Sequence, residues 1–308
     1  MTLEELNDIV NSADLDEFIR VCEARQRKRL SQIADQVTAR GGVRLVLLAG
    51  GSSAGKTTTA KRLCTQLRVN GHVALHLSTD DYFVGDARNP RDENGEFDYE
   101  TIECVDRERL AADLNALRAG ERVHLRRFDF RKHDGYDEEA LTALPANGII
   151  VLEGIHALNP LLTQEVDDAC KFRVFIEPKT QPEVFATTRL PSTDARLIRR
   201  IVRDNQFRKM DPLETLRLWP KVLAGEEKWI NPFRSFADAE FDSALAYELA
   251  VLKPYVVGLL VRAQAKEPEN ARIGIFLDLF QMVVPTDPTK VPGDSILRET
   301  IGGSQLDY

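Results

Sequence analysis

The run Gly50-Gly51-Ser52-Ser53-Ala54-Gly55-Lys56-Thr57, with the spacing GxxxxGK[ST], constrains this chain more than any other feature. An apolar stretch at 43–49 precedes it, and a segment of helical character at 56–69 follows. Glycines allow the backbone to turn its N–H groups onto phosphate oxygens, and the positive end of the following helix points to the same place. The sequence therefore predicts a phosphate-binding loop, in which Lys56 reaches the β- and γ-phosphates and the Thr57 hydroxyl binds Mg²⁺. An unliganded glycine turn is the alternative.

The residues predicted to hold the phosphates of ATP are Gly51, Ser52, Ser53, Ala54, Gly55, Lys56, Thr57 and Thr58.

Apolar, partly β-branched runs alternate with helical segments along the chain. This alternation is typical of an α/β fold with a parallel sheet and helices on both faces, and the phosphate loop places nucleotide binding in it. In such sheets, ligands bind at the carboxyl ends of the strands. The predicted domains are a helical N-terminal extension at 1–40, a kinase domain at 41–265 with a lid at about 190–212, and a C-terminal helix and tail at 266–308 packed on the kinase domain.

Composition narrows the partners and the compartment. The formal net charge of −8 argues against long polyanions, so neither nucleic acid nor an anionic membrane surface is expected as a partner. The four cysteines form no CxxC pair, which argues against a disulfide framework or a zinc site. The acidic N-terminus does not resemble a signal peptide, and no apolar run is long enough to span a membrane, so we expect a cytoplasmic protein.

Two acidic residues follow predicted strands. Asp80 comes at the end of the strand at 73–78, where it could accept a proton from a substrate hydroxyl or cap the next turn. Glu153 follows the strand at 148–152, where it could hold Mg²⁺ directly or through water, or lie exposed to solvent. Together with Thr57, these carboxylates indicate a phosphoryl-transfer site, with Thr57, Asp80 and Glu153 as the predicted metal-site residues.

Four arginines share one face of a predicted helix: Arg196, Arg199, Arg200 and Arg203 follow the spacing i, i+3, i+4, i+7. Asp204 is expected on or near the other side. The segment 196–209 holds six basic side chains and one acid, a local charge of +5. Because such like charges repel one another unless an anion lies among them, the pattern predicts a lid that clamps a triphosphate and excludes water. A solvated helix face is the alternative.

Several strings together resemble the phosphoribulokinase/uridine kinase family of phosphate-loop kinases, and especially its uridine kinase-like branch. They are GGSSAGKTT (50–58), LSTDDYF (77–83), EFDYE (96–100), FDFRKHDG (128–135), VLEGIHAL (151–158) and RLIRRIVRD (196–204). The likeness to longer bacterial nucleoside kinase-like proteins extends to ETIGGS (299–304). It implies a phosphate-loop NTPase kinase fold. It also implies an ATP- and Mg²⁺-dependent enzyme that transfers the γ-phosphoryl group to a hydroxyl of a small molecule, a nucleoside such as uridine or cytidine.

The resemblance also implies roles for single residues. Asp80 would be the catalytic base, and Lys56, Arg200 and Arg203 would act on the phosphates. Glu153 would be the Mg²⁺-associated acid and Asp98 would hold the ribose hydroxyls. The implied acceptor-binding residues are Asp98, Phe83, Phe128, Phe130, His133 and Arg200. From the sequence alone, His133 could equally be an exposed loop histidine.

The chain departs from the family pattern on the acceptor side. Phe83 and Phe128 stand where uridine kinases usually have tyrosine. An arginine that contacts substrate in uridine kinases is replaced near Met210, and a glutamine of those enzymes corresponds to a position near Leu218. These departures leave two alternatives open: a kinase of another small sugar- or polyol-like alcohol, and a nucleotide-binding regulator that transfers no phosphate. A homo-oligomer also stays open.

Overall fold

A computed structural model describes residues 1–93, 95–129, 132–145, 147–185 and 188–307. The strands it describes are β1 (Leu45–Ala49), β2 (Ala74–Ser78), β3 (Arg122–Asp129), β4 (Asp134–Ala143), β5 (Ile149–Glu153), β6 (Lys171–Glu177), β7 (Glu183–Phe185), β8 (Thr188–Arg189) and β9 (Ala239–Asp242). The helices are α1 (Leu3–Val10), α2 (Leu15–Arg40), α3 (Lys56–Val69), α4 (Arg107–Ala119), α5 (Ser192–Arg208), α6 (Pro212–Trp229), α7 (Glu248–Lys266), α8 (Ala271–Met282) and α9 (Arg298–Ile301).

The centre of the molecule is a five-stranded sheet in the order β2–β5–β1–β6–β9. All of its neighbouring strands pair in parallel. Each residue of β1 and β5 is buried, which explains why both strands read as continuous apolar runs rather than as alternating ones. The prediction of an α/β fold with a parallel sheet is confirmed. Its loops after β1, β2 and β5 therefore lie along one edge of the sheet.

Apolar side chains cover both faces of the sheet. One cluster joins α2 and α3 to the sheet through residues such as Leu30, Ile33 and Leu63. Another joins α4 to the opposite face through Leu110 and Leu114. The residues of α2 therefore pack on the core of the kinase fold, against the helix that follows the phosphate loop.

The predicted lid at about 190–212 spans helix α5 and the break between α5 and α6. Lys209 has a positive φ of 56°, which ends α5. The Asp211 side chain then accepts a hydrogen bond from the Leu213 N–H, and Pro212 occupies the first turn of α6. Such an aspartate cap followed by proline is a common helix start, so the sequence carried a signal for this break.

Two further predictions concern membrane-spanning helices and disulfide bonds. Among the helices described above, none is both long and apolar enough to cross a membrane. All four cysteines lie in described ranges and are free thiols, which confirms the prediction of no disulfide framework.

Candidate active site

The phosphate loop joins β1 to α3. Gly55, the last residue before α3, has a φ of +86°, a conformation that glycine adopts without strain. The Lys56 ammonium group donates a hydrogen bond to the Gly51 carbonyl oxygen at 3.1 Å. The lysine side chain is therefore folded back over the loop, above the N–H groups that would receive phosphate.

A buried ion pair holds the Ser52 peptide of this loop. The Glu226 carboxylate accepts a hydrogen bond from the Ser52 N–H at 3.1 Å, and the Arg196 guanidinium donates to the Ser52 carbonyl oxygen at 3.2 Å. Arg196 and Glu226 also pair with each other through two contacts of 2.5 and 2.7 Å. A Cβ atom at Gly51 would lie 2.0 Å from Arg196 Nη1, so a larger residue here would have to displace the Arg196–Glu226 ion pair.

The other arginines of α5 also have acidic partners. Arg199 pairs with Glu248, and Arg200 and Arg203 both pair with Asp204, at 3.2 and 2.7 Å. Asp204 thus lies among the arginines, and its placement on the other side of the helix was wrong. Carboxylates therefore offset part of the positive charge: Glu226 pairs with Arg196 and Glu248 with Arg199. Arg200, Arg203 and Arg208 share the single carboxylate of Asp204, and the charge of Arg203 still lowers the pKa of both Arg200 and Arg208.

Helix α5 nevertheless lies on the phosphate loop. Arg200 Nη1 donates to the Ser52 hydroxyl at 3.0 Å, and Arg199 Nη1 donates to the Ser53 carbonyl oxygen at 3.4 Å. On its other face, Leu197, Ile198 and Ile201 are buried in an apolar cluster with α6 and α7. The arginine helix is therefore packed between the loop and the core.

The strand-end acid Glu153 meets the phosphate loop. Its Oε1 atom accepts a hydrogen bond from the Thr57 hydroxyl at 3.0 Å, and His76 Nε2 lies 3.8 Å away. Burial alone would raise the pKa of Glu153, but hydrogen bonding and charge from His76, together with the charge of Lys56, hold that pKa below its ordinary value. Glu153 is therefore a buried acid that stays ionised.

Asp80 lies in a short 3₁₀ helix, Thr79–Tyr82, that follows β2 directly. Burial and the negative charge of Glu153 raise the pKa of Asp80 to about 6, although the charges of Lys56 and Arg208 oppose the shift. A Cβ atom at Gly154 would lie 1.8 Å from the Thr79 hydroxyl, so glycine after Glu153 lets the two strand ends approach. Asp80 is thus a carboxyl group with a pKa close to neutrality beside the phosphate loop.

The residues at this edge fit a magnesium ion. Mg²⁺ takes oxygen ligands and usually binds through one or two carboxylates plus substrate phosphates and waters. The Thr57 hydroxyl and the Glu153 carboxylate supply such oxygens within hydrogen-bond distance of each other. Across the described part of the chain, no group of three or more His, Cys, Asp and Glu residues could hold a metal by itself.

Aromatic residues gather on the predicted acceptor side. The Phe83 ring lies 5.6 Å from the Phe128 ring, edge to face, and 6.0 Å from the Tyr99 ring. Tyr99 Oη contacts His133 Nδ1 at 3.2 Å and donates to Asp86 at 2.9 Å. The structure thus brings Phe83, Phe128 and His133 together, and it adds Tyr99 and Asp86, to which no role was assigned from the sequence. Phe130 lies outside the described residues.

Asp98 and Glu100 occupy the loop that faces α6. The Asp98 carboxylate accepts a hydrogen bond from the Glu100 N–H at 3.0 Å. A Cβ atom at Gly225 would lie 2.5 Å from Glu100 Cβ, so this helix glycine makes room for the Glu100 side chain. Burial raises the pKa of Glu100 to about 7, with Glu226 and Asp98 adding to the shift while Arg200 and Lys56 oppose it.

Sequence reasoning missed Glu100 and Glu226 as site residues. Glu100 lies in the string EFDYE at 96–100, two residues after Asp98, so the sequence could have indicated it as a site residue. Glu226 lies 30 residues from Arg196 and 174 from Ser52, on a helix with no motif of its own. No spacing rule joins such positions.

A phosphate loop at the carboxyl edge of a parallel sheet, facing an ionised strand-end acid, is the arrangement of a phosphate-loop nucleotide-binding protein. Residues 45–249 match the Phosphoribulokinase / Uridine kinase family, and the chain belongs to that family. It is therefore a kinase that acts on a hydroxyl group, in a family that uses a nucleotide as phosphate donor.

The chain is also similar to curated uridine kinases and, in part, to a solved structure. A uridine kinase of Deinococcus deserti is 27% identical over 192 residues, covering 62% of this chain and 83% of the relative. A uridine kinase of Schizosaccharomyces pombe is 26% identical over 249 residues, covering 80% of this chain and 50% of the relative. A structure described as a possible uridine kinase from Bacillus stearothermophilus is 22% identical, with a TM-score of 0.46 over 71% of this chain and all of that one.

Proposed function

We propose that this protein is an ATP- and Mg²⁺-dependent kinase that transfers the γ-phosphoryl group to a hydroxyl of a small nucleoside such as uridine or cytidine. The observation that carries the proposal is the meeting of three elements at one sheet edge. These are the phosphate loop, the Thr57–Glu153 contact of 3.0 Å, and Asp80 with its pKa raised to about 6. In phosphoryl transfer, an enzyme acts mainly by positioning the reactants and by stabilising the charge of the transition state, and the groups at this edge could do both.

The donor half of the site would be built from the loop and its lysine. The N–H groups of residues 51–58 would cradle the phosphates, and the Lys56 ammonium would leave the Gly51 carbonyl to reach the β- and γ-phosphates. Thr57 and Glu153 would hold Mg²⁺, with Asp80 nearby. The ion would supply charge neutralisation on the phosphate oxygens.

Asp80 would act as the general base. In its ionised form the carboxylate would accept the proton of the acceptor hydroxyl as the oxygen attacks the γ-phosphorus. A base with a pKa of about 6 is ionised at neutral pH yet binds a proton more readily than an ordinary aspartate. Arg200, which donates a hydrogen bond to the Ser52 hydroxyl of the loop, would offset charge on the transferred group together with Arg203 of the same helix.

The acceptor half would lie between the loop that carries Asp98 and the β3–β4 hairpin. Asp98 would accept hydrogen bonds from ribose hydroxyls, while Phe83, Phe128 and His133 would surround the base. Both phenylalanine rings are buried, at 7% and 8% exposed, and already contact each other. The two rings would therefore offer a preformed apolar surface against which a flat base could pack.

A second acceptor class is favoured by one feature of that wall. Phe83 and Phe128 have no hydroxyl with which to hydrogen-bond a pyrimidine, so part of the polar recognition expected in uridine kinases is lost. A different sugar- or polyol-like alcohol could then occupy the same place.

The test is a screen of nucleosides, sugars and polyols with ATP and Mg²⁺, followed by ADP release, with Asp80→Asn as the inactive control. We expect acceptor-stimulated ADP release with at least one nucleoside. Release stimulated only by another alcohol would favour the second class. Tight ATP binding without release across the whole panel would instead indicate a nucleotide-binding regulator.

A further inference from the structure

The C-terminal tail reaches the phosphate loop from outside the family match, which ends at residue 249. The Glu299 carboxylate accepts a hydrogen bond from the Thr58 hydroxyl at 2.9 Å. A Cβ atom at Gly55 would lie only 3.1 Å from Ile296 Cδ1. The tail therefore touches the residue before Lys56 and the residue after Thr57, on both sides of the pair that would bind phosphate and Mg²⁺.

The tail packs on the core through the buried side chains of Ile296, Leu297 and Ile301, and it is folded on itself by hydrogen bonds. The Arg298 guanidinium donates to the carbonyl oxygens of Pro292 and Gly302, at 3.3 and 3.2 Å, and to that of Val291. Asp294 forms an ion pair of 2.9 Å with Arg27 of α2. A carboxylate on such an anchored segment is a fixed acceptor, so it can orient the hydroxyl that it binds.

Contacts from another segment could stabilise the conformation of the phosphate loop. Gly55 adopts a left-handed conformation that costs a glycine little to leave, and Thr58 lies in the first turn of α3, whose N–H groups would point at phosphate. Binding sites must keep their groups within about 0.5 Å of the productive geometry. The small gap among Ser53, Gly55 and the tail is about 10 Å³, space for roughly one water, so the contact leaves the loop little freedom.

We propose that the tail forms part of the nucleotide-donor site, and that Glu299 is a positioning residue that orients the start of α3 through Thr58 for the phosphates of a nucleoside triphosphate. This inference rests on the proposed function for its donor. It assigns to residues 294–301 a role in binding the donor, while the acceptor site is built from other segments of the chain.

The test measures ATP·Mg²⁺ binding directly by calorimetry, which needs no acceptor. Because hydrogen bonds to charged groups are among the stronger ones, we expect Glu299→Ala to weaken ATP binding about tenfold. Glu299→Gln keeps an oxygen that can accept the hydrogen bond, so it should restore binding to within about threefold of the wild type. Glu269→Gln, on an exposed loop, is the matched control and should leave binding unchanged.

Two further readouts separate positioning from general destabilisation. Thr58→Val should weaken ATP binding, and adding Glu299→Ala to it should weaken binding little more, because both changes remove the same hydrogen bond. Once an acceptor is known, KM for ATP should rise in Glu299→Ala while KM for the acceptor stays the same.

Unchanged or tighter ATP binding by Glu299→Ala would overturn the inference, and tighter binding would mean that the carboxylate repels the nucleotide. Additive losses in the double variant would also overturn it. A wild-type protein that binds ATP but phosphorylates no acceptor contradicts the kinase function and leaves the tail inference standing, whereas a wild type that fails to bind ATP contradicts both.

Discussion

Replacement of Asp80 by asparagine should separate stability from catalysis. Burial and the nearby charge of Glu153 raise the pKa of Asp80 from 3.8 to about 6, so ionised Asp80 destabilises the folded protein. Asparagine has nearly the same shape and no charge. We therefore expect Asp80→Asn to be more stable than the wild type at neutral pH and to lose phosphoryl transfer.

The size and the pH range of this effect follow from the pKa shift. A shift of about two pKa units corresponds to about 3 kcal/mol, and because Asp80 is only partly buried, solvent screening reduces the expected gain to about 1–3 kcal/mol. The folded state holds the proton more strongly than the unfolded state. The free energy of unfolding of the wild type should therefore fall, relative to the variant, as pH rises from about 4 to about 6, and should then stay lower.

Urea unfolding of both proteins at pH 4.5, 6.0 and 7.5 measures this difference. The variant should gain its full advantage at pH 7.5 and about a third of it at pH 4.5, and Asp278→Asn, on an exposed face of α8, should show no such dependence. Turnover should fall by roughly 10²–10⁴-fold, the usual share of a general base, while ATP binding is retained. A variant that is less stable than the wild type at pH 7.5, or that turns over normally, would refute the reasoning.

Three further predictions concern the loop and its neighbours. Glu226→Ala leaves Arg196 buried without its carboxylate, so urea unfolding should show a loss of about 3–5 kcal/mol, and Arg196→Met combined with Glu226→Leu should recover much of it; equal losses in both proteins would contradict this. Burial raises the pKa of Glu100 to about 7, so the stability of the wild type should fall between about pH 4.5 and 7, and Glu100→Gln should flatten that slope in urea unfolding. Lys56→Ala should weaken ATP binding at least about tenfold in a calorimetric titration, and unchanged affinity would remove the lysine from the donor site.

The parallel sheet, and the gathering of Thr57, Asp80 and Glu153 at one edge of it, were predictable because their signals are local in the sequence. The phosphate loop, Asp80 and Glu153 each directly follow an apolar strand, and parallel strands bring their carboxyl ends to one edge. The parallel arrangement of the strands and the position of each residue at a strand end were thus enough to predict that Thr57 and Glu153 lie close together, although the two residues are 96 positions apart in the sequence.

The ionic partners of the arginine helix were not predictable in this way. Helical spacing correctly put the arginines on one face, but it says nothing about which residues of other helices face them. Arg196 and Arg199 find their carboxylates 30 and 49 residues further along, on α6 and α7. A buried arginine requires a partner, so the sequence could have indicated that acids exist nearby, but packing of whole helices decides which acids these are.

These pairings change where the positive charge of the donor site comes from. With Glu226 and Glu248 included, the local charge of the arginine segment falls from +5 to +3. Arg196 and Arg199 use their guanidinium groups on the backbone of Ser52 and Ser53, so they shape the loop and are not available to a phosphate. Attraction of a triphosphate must then depend on the loop N–H groups, Lys56, Arg200 and Arg203.

Two carboxylates, Glu226 on one side of the phosphate loop and Glu299 on the other, hold the loop by hydrogen bonds. Because these contacts set the shape of the loop before any nucleotide arrives, they reduce the entropic cost of ordering the loop on binding.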